Sequence, residues 1–265
     1  MTRPSVAHPV AIVLGSGLGH LAGHVKPVRR IDYHDIPDFP SSATPVKGHS
    51  FEATVGTIQG TPVVVYPGRV HLYQGYSPRE VTSLVRHAQL VGCRTIVLAC
   101  AAGAVPGVAE CGLGVVSDHI NLTGHNPLVG QAPPLWPRRP ASAELGVTSV
   151  DMGAAYDARL RDLAREVARD AGIVLGEGVL AGVLGPSFET PAEVAALGML
   201  GVSYVSMSCV CETIMARALG MSVLAIVLAT NVAGDPGFSH QDVLTAARAQ
   251  ADPFRRLVKG ILARM

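Results

Sequence analysis

Charge is scarce in this chain of 265 residues: Asp, Glu, Lys and Arg together make up 15%, and the formal net charge is +1. No run of Lys or Arg interrupts that balance, which excludes the basic footprint of a nucleic-acid-binding surface. Long apolar runs are also missing. None approaches the roughly 20 residues that a membrane helix needs, and Met1 to Pro9 holds no extended apolar core of a signal peptide. No membrane association is expected, and a cytoplasmic protein is. The cysteines (Cys93, Cys100, Cys111, Cys209 and Cys211) are odd in number and irregular in spacing, so they define no disulfide framework. Cys209-Val210-Cys211 lacks a second ligand pair, and the thiols are read as small buried hydrophobes rather than metal ligands.

What is abundant is apolar material, 48% of the chain. No Pro/Gly/Ser-rich linker or shift in composition divides it, so residues 1–265 are read as one domain. Strand-like runs alternate with helix-like segments, the pattern of an α/β fold. An early pair of alternating segments, Phe51 to Ile58 and Pro62 to Tyr66, predicts antiparallel strands and therefore a mixed sheet. Lys26 to Pro45 and Pro127 to Val147, rich in proline, are read as loops. Helices are predicted behind the capping boxes Ser77-Pro78-Arg79-Glu80 and Thr190-Pro191-Ala192-Glu193, and along the amphipathic face Tyr156, Leu160, Leu163 and Val167. The last helix starts at Ser239, with Pro253 expected to kink or divide it.

Polar residues cluster where strands end. Val10 to Leu14 runs into Gly15-Ser16-Gly17-Leu18-Gly19. Glycines there let backbone amides close on an anion, and Ser16 adds a hydroxyl. No Gly-Lys-Ser/Thr follows, so this is not a nucleotide-binding Walker loop. The dinucleotide spacing fails as well. In Gly68-Arg69-Val70-His71-Leu72-Tyr73, alternation places Arg69, His71 and Tyr73 on one side of an extended chain. An Arg fork and a His donor suit phosphate. Thr95 to Cys100 leads into Ala101-Ala102-Gly103, small residues that admit close approach to the backbone. The stretch Gly185 to Glu193 follows a predicted strand and ends in the Thr190 capping box. Phe188 and Glu189 therefore belong on a short loop where ligands of open α/β sheets bind.

Taken together, in order and spacing, these segments resemble the trimeric family of purine nucleoside phosphorylases over nearly the whole chain. Gly48-His49, Ser117-Asp118-His119-Ile120-Asn121-Leu122, Met207-Ser208 and Thr230-Asn231 add to the match. The resemblance implies a single-domain α/β subunit with a mixed, partly barrel-like sheet flanked by helices. It also implies a homotrimer, and no cofactor beyond inorganic phosphate as co-substrate. It places Ser16, His49, Arg69, His71, Ala101 and Ser208 at phosphate. Tyr73, Met207 and His240 would contact the sugar, and Phe188, Glu189 and Asn231 the purine. The reaction implied is attack of phosphate on a purine (deoxy)ribonucleoside, giving free base and sugar 1-phosphate.

The residue types agree with that chemistry. Phosphate is itself the nucleophile, and no catalytic triad or carboxylate pair is visible to supply another. Asn231 can donate to the purine as negative charge develops, Glu189 can accept from its ring N–H, and His71 completes the expected catalytic set. Asn at 231 favours 6-oxopurines such as inosine and guanosine over adenosine. Departures from the family pattern are Gln74 for Glu, Ala99-Cys100 for Thr-Asn, Ser206 for Gly, and Cys209-Val210-Cys211 for a Thr-Val pattern. The family's intersubunit aromatic is replaced by Ser149, with Trp136 a possible substitute. Three alternatives stand beside the main reading. They are a phosphorylase for 5′-altered, methylthio-type nucleosides, a nucleoside hydrolase, and a catalytically weakened homologue that only binds nucleosides.

Overall fold

The computed structural model describes residues 8–45, 49–130, 149–237 and 239–265, with the backbone alone at His240. The chain opens with β1 (Val10–Val13), β2 (Lys26–Asp32), β3 (Glu52–Ile58) and β4 (Thr61–Tyr66). Two short helices follow, α1 (Pro78–Val81) and α2 (Ser83–Leu90), then β5 (Thr95–Ala104) and β6 (Gly112–Asn121). The second half runs α3 (Ala158–Asp170), β7 (Leu175–Gly182), α4 (Pro191–Met199), β8 (Val202–Ser206) and α5 (Val210–Ala218). It closes with β9 (Ser222–Val232), α6 (His240–Ala249) and α7 (Ala251–Arg264).

The strands form one nine-stranded mixed sheet in the order β2-β3-β4-β1-β5-β8-β7-β6-β9, and β9 also pairs with β5. That extra pairing joins β5, β8, β7, β6 and β9 into a ring, so one part of the sheet is a small barrel and β1 to β4 extend from it. This is the mixed, partly barrel-like α/β fold that the resemblance implied. Among the described residues the helices pack on both sides. Alternation in the strands explains why. Ala11 and Val13 of β1 enter one apolar cluster, and Val10 and Ile12 the other; Ile96 and Leu98 of β5 divide from Val97 and Ala99 in the same way. A strand apolar at every position must be covered on both faces. Leu84 and Val85 of α2 with Ile214 and Met215 of α5 cover the first cluster. Ala164 and Val167 of α3 with Phe254, Leu257, Val258 and Ile261 of α7 cover the second.

One segment departs from expectation. Lys26 to Asp32, predicted as loop, forms β2 on the sheet edge, antiparallel to β3. Every residue of it but Ile31 is exposed, so it carries no alternating apolar pattern to betray a strand. Pro27 is tolerated because the ladder is irregular between Pro27 and Arg29. The predicted loop 127–147 lies mostly outside the described residues, as does Trp136.

The helix starts follow their capping residues. Thr190 accepts from the Glu193 amide, while Oε2 of Glu193 accepts from the Thr190 amide at 2.7 Å and its hydroxyl at 2.8 Å. Ser77–Glu80 and Ser239–Asp242 repeat the arrangement. Thr190→Ala removes one half of the box and is expected to cost about 1 kcal/mol. Urea denaturation of Thr190→Ala beside Thr190→Ser, which keeps the hydroxyl, checks this.

Candidate active site

The strand ends converge on a cavity of about 350 Å³. Gly15 and Ser16 reach it from the end of β1, and Ala101, Ala102 and Gly103 from β5. Pro186, Phe188 and Glu189 come from the β7–α4 loop, Ser206, Met207 and Ser208 from the end of β8, and Thr230 and Asn231 from β9. His71 and Tyr73 close one side. Of the residues singled out in the sequence, Ser16, His71, Tyr73, Ala101, Phe188, Glu189, Met207, Ser208 and Asn231 share this cavity. His49 and Arg69 do not line it, and the side chain of His240, the first residue of α6, lies outside the described residues.

Local backbone explains the placement. Gly17 turns the chain at φ +79°, and a Cβ there would stand 2.5 Å from the Ala247 Cβ of α6. Gly185 has φ +71°, and a Cβ would stand 2.3 Å from Met207 Sδ. Only glycine meets both demands, so Met207 packs directly on the loop that presents Phe188 and Glu189.

The run 67–75 is not extended throughout, as alternation predicted. Leu72–Gln74 forms a 3-10 turn, because Oε1 of Gln74 accepts from the His71 amide at 2.9 Å. The same oxygen lies 3.2 Å from His71 Nδ1. A carbonyl oxygen only accepts, so this contact is a hydrogen bond in the tautomer that has its proton on Nδ1. Gln74 thus offers the contact that Glu would offer, without the charge. The His71 and Tyr73 rings stack at 4.9 Å, and His49 stands 5.6 Å from His71. Its Nε2 lies 3.2 Å from Ser16 Oγ. Its Nδ1 lies 3.0 Å from the Arg69 carbonyl and 3.1 Å from the Arg69 amide, so either ring tautomer finds a partner. His49 therefore joins the glycine loop to the Arg69 segment from behind the cavity wall.

Arg69 turns inward. It is 2% exposed, its Nη1 donates to the Ala99 carbonyl at 2.7 Å, and its Nη2 to the Val13 carbonyl at 3.2 Å. Nε lies 2.8 Å from Oε1 of Glu212, a contact of charges rather than an aligned hydrogen bond. Burial works hardest against the guanidinium's charge, but Glu212 first, and then Cys209, Cys100 and Tyr33, together outweigh it and raise its pKa. Sequence reasoning assigned Glu212 no role. The signal was its place, three residues after the helix cap Cys209, whose amide it accepts at 2.6 Å.

At the other end of the cavity, burial first, and then the Glu193 charge, raise the Glu189 carboxyl above its ordinary value. Glu193 itself is occupied by the Thr190 cap. The Asn231 amide accepts from Thr230 Oγ1 at 3.2 Å and donates one N–H to the Val232 carbonyl at 3.0 Å. Neither bond uses its second N–H, and Asn231 lines the cavity.

The cysteines are all free, with Cys111 alone exposed. Burial pushes the thiols of Cys93 and Cys211 up to about 12. Among the described residues no group of three or more His, Cys, Asp or Glu could hold a metal ion, and no helix is long and apolar enough to cross a membrane.

A cavity that collects polar side chains from the ends of β1, β7, β8 and β9, and small residues from β5, matches one known class. The chain belongs to the phosphorylase superfamily, whose family pattern it matches over residues 9–263. It is 41% identical to purine nucleoside phosphorylase 1 of Geobacillus stearothermophilus over 261 residues, 97% of this chain and 91% of that one. It is 39% identical to the purine nucleoside phosphorylase of Mycobacterium tuberculosis over 264 residues, 97% and 90% of the two chains. Among solved structures it resembles isoform 2 of the Schistosoma mansoni purine nucleoside phosphorylase in complex with cytosine and ribose-1-phosphate. The TM-score is 0.85 and the identity 33%, with 98% of this chain and 91% of that chain covered. The S. mansoni enzyme in complex with inosine gives a TM-score of 0.82 at 33% identity, covering 98% and 92%.

Proposed function

We infer that this chain is a pentosyltransferase that catalyses the phosphorolysis of purine (deoxy)ribonucleosides to free base and (deoxy)ribose 1-phosphate. One observation supports the reading above the others. The half-buried Glu189 carboxylate and the Asn231 amide enter the same cavity as Ser16, His71 and Ser208. An acceptor–donor pair for a purine and a set of anion-binding groups thus share one volume, of a size that suits a small-molecule ligand.

Phosphate supplies the nucleophile. His71, Ser16, Ser208 and the Ala101 main chain hold it, with His49 and Arg69 behind them. Tyr73, Met207 and His240 meet the sugar, and Phe188 covers the base. As the glycosidic bond breaks, negative charge grows on the purine, and the Asn231 N–H stabilises it more in the transition state than in the ground state. Glu189 accepts from the ring N–H of a 6-oxopurine, which adenine lacks. Inosine and guanosine are the proposed substrates, and no cofactor is required. Residues 1–265 act as one domain, and the subunit assembles as a cytoplasmic homotrimer, on the strength of the family resemblance.

Incubation with inosine, guanosine, adenosine and methylthioadenosine, each with and without phosphate, tests this. The expected result is cleavage of inosine and guanosine only with phosphate, and adenosine at least tenfold slower, a modest discrimination for one hydrogen-bonding contact. Cleavage without phosphate overturns the reaction type. Comparable turnover of adenosine overturns the base preference.

A further inference from the structure

β5 and β8 pair at only two positions, Gly103 with Val205 and Ala104 with Tyr204. The next pair toward the cavity would be Ala102 with Ser206, and the ladder has already ended. The strands separate here, which opens the barrel wall to the cavity. One side chain spans the gap. Ser206 Oγ donates to the Ala101 carbonyl at 2.8 Å and accepts from the Ser208 amide at 3.3 Å. Ser206 is itself held from the other side, because its backbone aligns with Gly182 of β7 and its carbonyl accepts from the Val183 amide at 2.9 Å. It is 6% exposed and lines the cavity between Ala101 and Ser208.

A hydroxyl has one proton and two lone pairs. Here the proton goes to one anion-binding segment and a lone pair to the other. Glycine, usual at this position in the resembled family, could do neither. We propose that Ser206 is a positioning residue for phosphate: its hydroxyl stands in for the missing ladder bond between β5 and β8 and fixes the spacing between the Ala101 main chain and Ser208. The proposal rests on the phosphorylase reading, which assigns those two segments to phosphate.

Removal of the hydroxyl leaves the cavity lining in place but lets the two segments drift, and sub-ångström drift weakens anion binding before it unfolds anything. S206A and S206G should raise the phosphate KM about five- to tenfold, the worth of one or two neutral hydrogen bonds, and leave the inosine KM within about twofold, since Glu189 and Asn231 are untouched. S206T, which keeps the hydroxyl, should restore the phosphate KM. A general loosening of the fold would raise both KM values together, which separates it from positioning. Calorimetric titration with inorganic phosphate distinguishes the ways of failing. If the unaltered protein binds phosphate and S206G binds it equally well, the positioning role is wrong and the phosphorylase reading survives. If the unaltered protein takes up no phosphate, both are wrong. S206G, carrying the residue usual in the family, keeps the test available should S206A fold poorly.

Discussion

Glu212→Ala is expected to cost about 3–5 kcal/mol of stability, the usual penalty for stranding one member of a buried ion pair. Glu212 is 3% exposed and Arg69 2%, so neither charge can turn to water when its partner goes. The guanidinium would keep its bonds to the Ala99 and Val13 carbonyls. Those neutral oxygens do not offset a full charge in an apolar surrounding. The α5 start is weakened as well, because the Cys209 amide loses its acceptor. In a chain of this length a loss of that size lowers Tm by roughly 6–20 °C. Thermal unfolding at fixed protein concentration, so that assembly is held constant, reads the difference. Arg69→Met with Glu212→Leu removes both charges and should regain most of the loss, since an apolar pair avoids the desolvation that the ion pair must overcome. If Glu212→Ala unfolds within 2 °C of the unaltered protein, the pair is not the fastening described here.

That fastening also shows where sequence reasoning stopped. Alternation in an extended chain places Arg69 on the same side as His71 and Tyr73. The Gln74 side chain bends the chain into a turn, and such a bond lies outside any periodicity argument. Arg69 runs back to meet the end of β1, the middle of β5 and the start of α5, three segments joined only by folding. The edge strand β2 was missed for the opposite reason: it is exposed nearly throughout, so burial leaves no pattern. The capped helix starts were legible because a capping box is local chemistry, complete within four residues. The cavity was legible in part. Strand ends followed by small or polar residues marked Ser16, Arg69, His71, Ala101, Glu189, Met207, Ser208 and Asn231, and all of them but Arg69 line it. Ser206 could be seen as an unusual residue but given no task, because its partners, Ala101 and the Ser208 amide, meet it only across the opening between β5 and β8.

Glu189→Ala should reduce kcat/KM for inosine by about 2–4 kcal/mol of transition-state stabilisation, roughly 30- to 1000-fold. A charged acceptor is lost in a partly desolvated cavity, and the purine N–H is left without a partner. Glu189→Gln still presents an oxygen and should fall between the two. The pH dependence gives the sharper sign. Burial, and then Glu193, raise the Glu189 carboxyl above its ordinary value of 4.5. Only the ionised form accepts as required, so kcat/KM for inosine should fall as pH drops through that raised value, and this acid limb should vanish in Glu189→Gln. Stability runs the other way. A carboxyl whose folded pKa is raised favours folding below its unfolded pKa, and that contribution disappears as pH rises through the folded value. At neutral pH the ionised Glu189 therefore works against the fold, and Glu189→Gln should be slightly more stable while far less active. Chemical denaturation and kinetics on the same preparation decide it. A variant that lost stability along with activity would place Glu189 in the structural frame rather than at the purine.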